Sequence, residues 1–338
     1  MTSNGSIPSN DTGSRNAGMR TAIITGGNSG LGFGCAASLL SSKEGRPWRV
    51  VLACRNPAGA QDAVERLEEI AGGPNRVETM ALDLASLASV REFAKTVARR
   101  LEDRAMPFVD GLVCNAGVQS GTKRTFTSDG FETTFGVNHL GHFLLVNLLL
   151  PTLASNARIA VVASGTHDPA QKAGPPAPAW NEPGALARGE LGPAAAKDGG
   201  FMYGQRLYTT SKLANIYFTY ALSRRLPPGV SVNAFDPGLM PGTGLVRDAP
   251  APLRFVAKHV LPRIIPLLRL VMYANVHTPA ESGASLARLV NDPALAGVTG
   301  KYFEGTKETR SSIDSYDDAR ADELWNVSEA LVGETKPT

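Results

Sequence analysis

The chain has 338 residues, enough for one large domain or two small ones, and its 43% hydrophobic content can fill a substantial core. A net charge of +3 with 19% charged residues is ordinary for a soluble protein, and no Lys/Arg cluster with interleaved aromatics occurs, which argues against a nucleic-acid footprint. The three cysteines, Cys35, Cys54 and Cys114, are odd in number and form no CxxC pair, which excludes a disulfide framework.

Each cysteine lies in an apolar segment, so buried free thiols are expected, with the cytoplasm as the location. Residues 1–18 are rich in Ser, Asn, Gly and Thr and lack an apolar stretch of the secretory kind. They are expected to be a disordered tail ahead of a single domain over 19–338. Apolar Thr21–Thr25 feeds a glycine-rich turn and then a helix over Leu31–Leu40. Arg49–Ala53 is a second strand and Ala60–Ala71 a helix. Val77–Leu82 is a third strand, followed by a helix near Val90–Leu101. Val109–Cys114 and Ile159–Ala163 are the fourth and fifth strands. Short apolar strands alternating with helices predict βαβ units and a parallel sheet. Right-handed crossovers place helices on both faces, the doubly wound Rossmann-type α/β class.

Two segments read as insertions that form a substrate cover. His167–Gly200 is dense in Pro, Ala and Gly without a period and reads as a long surface loop. The segment 246–278 carries Pro250, Pro252, Pro262 and Pro266 among apolar and basic residues and reads as short broken helices. It is an ordinary surface cover, a lid over a bulky apolar substrate, or a membrane-surface contact. No apolar run has bilayer-spanning length; the nearest, Phe255–Ala274, is broken by Lys258, Pro262, Arg263, Pro266 and Arg269.

The strand–turn–helix context makes Gly26-Gly27-Asn28-Ser29-Gly30-Leu31-Gly32 a dinucleotide site. Glycines allow a sharp turn and close approach of a pyrophosphate, and the following helix aims its N–H groups at that phosphate. The second strand ends in Cys54-Arg55-Asn56, with Arg55 where NAD-binding folds place an acid for the ribose. A guanidinium can pair with a 2′-phosphate, so NADP(H) is the expected cofactor. Asp83 and Leu84 are placed for the adenine, and Asn115-Ala116-Gly117 should line the cofactor at the carboxyl edge of the sheet.

Tyr208-Thr209-Thr210-Ser211-Lys212 puts Tyr208 and Lys212 four apart, on one face of a helix. An ammonium beside a phenol stabilises phenolate, which suits Tyr208 to proton transfer. In isolation the pair reads equally as a packed aromatic and a solvated lysine. His139 and His142, three apart, could pair on a metal, but no third ligand is near and packed or hydrogen-bonded histidines are expected. His167 could touch substrate. Tyr203 rivals Tyr208 but has no lysine four residues later.

The segment TGGNSGLG, the triplet Asn115-Ala116-Gly117, Asn138, Ser164, YTTSK and Asp236-Pro237-Gly238 occur in the order of the short-chain dehydrogenase/reductase family, which the chain resembles over about 20–332. The resemblance implies that Ser164 binds the reacting oxygen and that Tyr208 is the acid/base. It implies that Lys212 holds the nicotinamide ribose and tunes Tyr208, and that Asn138 supports a water relay. Pro237, Gly238, Leu239 and Thr243 would touch the nicotinamide end, although the family's threonine spacing falls on Gly242. A homo-oligomer built through long helices is compatible with the family.

DGFETTFGVNHLGHFLL (129–145), ACRN (53–56), SKLAN (211–215) and LWNVSEALVG (324–333) look like retinol dehydrogenases and light-dependent protochlorophyllide reductases. DLASLASVREF (83–93), PGTGLVRD (241–248) and ESGASLARLVNDPALAG (281–297) lean toward the second branch. Leu239 and Ala214, however, stand where that branch carries cysteines, and Ser164 where it usually carries threonine. The resulting expectation is hydride transfer between NADP(H) and a bulky apolar ketone, aldehyde or alcohol. The alternatives are C=C reduction of a conjugated ring or tetrapyrrole, with or without light, and a cofactor-binding regulatory protein without turnover.

Overall fold

The computed structural model of the protein describes residues 18–119, 121–171, 174–240 and 275–333. The expectations made for residues 1–17, for Thr243 and for residues 246–274 of the second insertion lie outside the described residues.

Thr21 to Thr25 are all buried, so the first strand is sealed on both faces and its sequence reads as a continuous run rather than an alternation. The strands are β1 (Arg20–Thr25), β2 (Trp48–Cys54), β3 (Val77–Ala81), β4 (Val109–Cys114), β5 (Leu153–Val162), β6 (Ser231–Asp236), β7 (Lys301–Glu304) and β8 (Lys307–Thr309). They form one sheet in the order β3-β2-β1-β4-β5-β6-β7-β8. All neighbours are parallel except the closing β7–β8 hairpin. Ile24 lies opposite Leu52 on one side, and Ile23 opposite Leu112 on the other. The order reverses beside β1, which opens a crevice at the carboxyl ends of β1 and β4.

The longer helices among the described residues are α1 (Gly30–Ser41), α2 (Gln61–Ala71), α3 (Leu87–Glu102), α4 (Gly141–Leu149), α5 (Pro183–Ala187), α6 (Gly200–Ser223), α7 (Pro279–Asn291) and α8 (Asp318–Gly333). Alternate residues of β1 divide the core between the two faces. Ala22 and Ile24 pack with Leu39 of α1, Leu67 of α2 and Leu286 of α7. Ile23 belongs to the other layer, with Val90 of α3, Leu145 of α4, Leu213 of α6 and Leu324 of α8. Two glycines bring α1 against α7: a Cβ on Gly283 would lie 2.3 Å from the carbonyl carbon of Gly34. α7 starts at a capping box in which Thr278 and Glu281 satisfy each other's backbone N–H.

The helix carrying YxxxK spans Gly200 to Ser223. One expectation needs correction. The region 167–200 is not a surface loop throughout. Pro183, Ala185, Leu186 and Ala187 are buried in α5, and Trp180 meets Tyr217 of α6 edge-on at 4.8 Å between centroids. The Glu132 amide donates to the Ala187 carbonyl at 2.7 Å. Short turns of small residues bury their faces without leaving a helical period in the sequence.

Candidate active site

The carboxyl ends of β1 to β6 converge on a cavity of about 540 Å³. Gly26 and Gly30 sit at φ +62° and +54°, a region that costs L side chains strain, so the turn after β1 depends on glycine there. Ser29 precedes α1 without using its side chain as a cap, and α1 has no acid in its first turn. The helix therefore turns unspent N–H groups and a partial positive charge toward the cavity. Gly26, Asn28, Ser29, Gly30 and Leu31 line this end. Gly32 does not: a Cβ there would meet the Gly26 carbonyl oxygen at 2.6 Å, so its role is close packing of helix on turn.

Arg55, exposed at the end of β2, lines the same cavity, as do Asp83 and Leu84 after β3 and Asn115, Ala116 and Gly117 after β4. The Asn115 side chain is spent on the turn, donating to the Thr25 carbonyl at 2.7 Å. Thr25 was not foreseen. Its hydroxyl accepts from the amides of Asn115 and Ala116, each at 2.9 Å, and meets His142 Nε2 at 2.9 Å. A hydroxyl ending an otherwise apolar strand is the signal that could have found it.

At the other end α6 supplies Tyr208 and Lys212, which also line the cavity with Val162 and Ala163 of the β5 end. Ser164 lies close enough to the Tyr208 hydroxyl to favour its phenolate form. Thr166 donates to Ser164 Oγ through its amide at 3.3 Å and its hydroxyl at 3.1 Å. The buried Lys212 ammonium donates to the Val162 carbonyl at 3.0 Å and lies 5.5 Å from the centre of the Tyr208 ring. Burial pulls its pKa down to about 8, against the opposing pull of Asp236. The phenol of Tyr208 is held above its ordinary value, first by burial and then by the Asp236 charge, with the Ser164 hydrogen bond working the other way. The expectation that the nearby ammonium draws the phenol toward phenolate is therefore corrected: burial sets the direction, and the phenol is the protonated, donating form at neutral pH.

Asn138 lies on a π-helical turn, Gly136–Leu140, leading into α4. Its side chain accepts from the Val118 amide at 2.8 Å and donates to the Val118 carbonyl at 2.9 Å and to Ser211 Oγ at 3.0 Å. A Cβ on Gly117 would sit 3.4 Å from Asn138 Oδ1 and 3.7 Å from Lys212 Nζ, which measures how closely these three converge. Asn138 thus stands behind the cavity wall, whereas Ser164 is partly exposed beside Tyr208. His139 bonds Ser328 Oγ at 2.8 Å and His142 bonds Thr25, so both histidines are packed and hydrogen-bonded as expected. Burial lowers them to about 3 and about 4, which keeps both neutral. His167 is buried, its Nδ1 against the Ser164 carbonyl at 2.6 Å and its Nε2 accepting from the Ser312 amide at 2.9 Å, so it serves the framework rather than a substrate. Tyr203 donates to the Gly189 carbonyl at 2.6 Å. The three cysteines are free and buried, and burial pushes the Cys114 thiol up to about 12.

Pro237 lines the cavity; Gly238 and Leu239 do not, although Met240 does. Gly238 turns at φ +72° against Asn275, and Leu239 is 46% exposed. Val118, Gln119, Thr133 and Val137 complete the wall between the two ends and were not foreseen. Of these, Thr133 and Val137 lie just before and within the π turn, which no periodicity announces.

A family model described as short chain dehydrogenase matches residues 20–175, and one described as AcuH dehydrogenase domain matches 245–337. Retinol dehydrogenase 14 of Mus musculus is 38% identical over 326 residues, covering 93% of this chain and 86% of its own length. The chain belongs to the short-chain dehydrogenase family. Protochlorophyllide reductase A, chloroplastic, of Oryza sativa subsp. japonica is 35% identical over 329 residues, covering 92% of this chain and 80% of that protein. Among solved structures, an uncharacterized protein from Mycobacterium Paratuberculosis superposes with a TM-score of 0.62 at 27% identity, over 94% of this chain and 95% of that one. As a short-chain dehydrogenase the protein is an oxidoreductase enzyme with a nicotinamide cofactor. The positive-φ glycines, the uncapped start of α1 and the long cavity fit that group. No helix among the described residues is long and apolar enough to cross a membrane.

Proposed function

We propose that the protein is an NADP(H)-dependent oxidoreductase acting on a bulky, mostly apolar ketone, aldehyde or alcohol, with Tyr208 as general acid/base. The observation that carries this reading is the placing of Tyr208, with Ser164 acting on its hydroxyl, beside the Lys212 ammonium at one end of a cavity whose other end is the glycine turn. The bound nicotinamide supplies or receives the hydride. Ser164 and Tyr208 would both donate to the substrate oxygen and stabilise the charge that develops on it. Tyr208 would then give its proton to that oxygen in reduction, or take the alcohol proton in oxidation. Lys212 would steady the phenolate and hold the nicotinamide ribose, and Asn138 would keep the Gly117–Val118 backbone in place and support a water relay to Lys212. Pro237, Gly238, Leu239 and Thr243 would approach the nicotinamide end. Free buried thiols support a reducing compartment, and we place the enzyme in the cytoplasm.

Leu239 and Ala214, in place of the cysteines of protochlorophyllide reductases, favour carbonyl chemistry over ring reduction. The test is incubation with NADPH and retinaldehyde in darkness, following the nicotinamide absorbance. Dark oxidation of NADPH is expected. Reduction only of protochlorophyllide, and only under illumination, would overturn the proposal in favour of the photochemical reading.

Arg55 provides the basis of the NADP(H) preference, since it is the charged side chain that lines the cavity at the end of β2. A hydrogen-bonded charge is worth about 1.5–3 kcal/mol. Arg55→Ala is therefore expected to raise the KM for NADPH roughly 10–100-fold and to leave the KM for NADH nearly unchanged. Parallel kinetics with the two cofactors check it, and an intrinsic preference for NADH would remove the assignment.

A further inference from the structure

His142 is buried in α4, one turn beyond Asn138, and its ring nitrogens each face a hydrogen-bonding partner. Counting donors and acceptors fixes which nitrogen carries the proton. A hydroxyl has one hydrogen to give and two lone pairs to accept with. Both lone pairs of Thr25 Oγ1 are taken by the Asn115 and Ala116 amides, each at 2.9 Å. Its hydrogen is left for His142 Nε2 at 2.9 Å or for the more distant Val113 carbonyl at 3.3 Å. An N–H on Nε2 would point at an oxygen with no lone pair to spare, so Nε2 carries none. Burial keeps the ring neutral, and a neutral imidazole holds one N–H. That hydrogen is therefore on Nδ1, where the Asn138 carbonyl accepts it at 3.2 Å.

The bonds continue on both sides. Asn138 holds the Val118 backbone and donates to Ser211 Oγ at 3.0 Å, and Ser211 Oγ donates to the Tyr208 carbonyl at 2.7 Å. The end of β1, the turn after β4, the π turn and α6 are thus joined in one buried series. Ala116, Val137 and Tyr208, from three of these pieces, line the cavity, whereas His142 does not. We propose that His142, as its Nδ1–H tautomer, is a positioning residue that ties α4 and the π turn to the β1 and β4 ends and so sets the spacing of the cofactor cavity walls. The Asn138 bond orients the ring, and the Thr25 bond makes the tie. The proposal rests on the nicotinamide-cofactor reading of the cavity and is independent of the substrate. A phenylalanine at this position would fill nearly the same space and tie nothing, which is the difference to be measured.

Two readouts are taken on the full chain. The first is the tautomer of His142 at neutral pH, from long-range proton–nitrogen NMR spectra of [15N]histidine-labelled protein, with the resonance assigned by its loss in His142→Gln. The Nδ1–H form is expected. The second is the affinity for NADPH, with NADH in parallel and the tighter nucleotide followed, after circular dichroism has established that each variant is folded. His142→Phe is expected to raise Kd about 10-fold, the worth of roughly one hydrogen bond. His142→Gln, whose amide oxygen can take the Thr25 hydrogen, is expected to stay within about threefold of the wild type. If His142→Phe does not fold, His142→Met adapts to the space and makes neither bond. An Nε2–H tautomer in the wild type, unchanged affinity in the folded Phe or Met variant, or equal losses in that variant and His142→Gln would overturn the proposal. Wild-type protein that binds neither nucleotide counts against the cofactor reading, and the tautomer still decides whether the Thr25–His142 tie is made.

Discussion

Tyr208→Phe is expected to cut turnover about 10²–10⁴-fold, the range of general acid–base catalysis by one positioned group. The substitution keeps the ring and removes only the hydroxyl, which lies beside Ser164 and is held in its protonated form chiefly by burial. Folding should lose about 1 kcal/mol, the net worth of one hydrogen bond. Binding of NADPH should hold, because the glycine turn, Arg55 and Lys212 remain in the cavity wall. Rates, thermal unfolding and cofactor affinity measured on the same preparations separate these effects. Near-normal turnover in the variant would show that Tyr208 is not the proton donor. Loss of turnover together with loss of cofactor binding would mean that the ring had moved, and that the rate carries no information about the proton.

The second large effect is on the fold that positions the cofactor end. Gly283→Val is expected to destabilise the protein by about 3 kcal/mol, at the upper end of what overpacking typically costs. Its Cβ would lie 2.3 Å from the Gly34 carbonyl carbon and 2.6 Å from the Cys35 amide nitrogen, which are helix backbone and cannot rotate away. α1 and α7 would have to separate. α1 is the helix whose N-terminus faces the cavity, so NADPH affinity should fall along with the melting temperature. Thermal unfolding with and without saturating NADPH checks both. Unchanged stability would mean that the two helices are not held at this contact. The same substitution at Gly333, at the end of α8, makes a useful control, since a Cβ there meets no atom within 4 Å.

Much of this was legible along the chain. Thr21–Thr25, Val109–Cys114 and the glycine turn are local features: a buried strand is a short apolar run and a tight turn needs glycine, so each is written in consecutive residues. The Tyr208–Lys212 pair was legible for the same reason, because helical spacing alone puts the two side chains on one face. Free, buried cysteines also followed from composition and position.

What failed, failed where partners are far apart in the chain. The first insertion was read as surface loop because Pro183–Ala187 has no period, yet the Ala187 carbonyl takes the Glu132 amide and Trp180 rests on Tyr217. The packing of Gly32 against the Gly26 carbonyl and the burial of Asn138 behind the cavity wall are likewise set by contacts that spacing along the chain does not show. The protonation of Tyr208 reversed direction for a related reason. Spacing shows Lys212, four residues away, but shows neither the burial of the phenol nor the charge of Asp236, twenty-eight positions on. The sequence by itself determined the strand–turn–helix order, the glycine turn and the shared helix face of Tyr208 and Lys212, all set by neighbours within a few residues. Only the tertiary structure decided which groups reach the cavity and what charge each carries there, because desolvation and Coulomb interaction depend on distance in space.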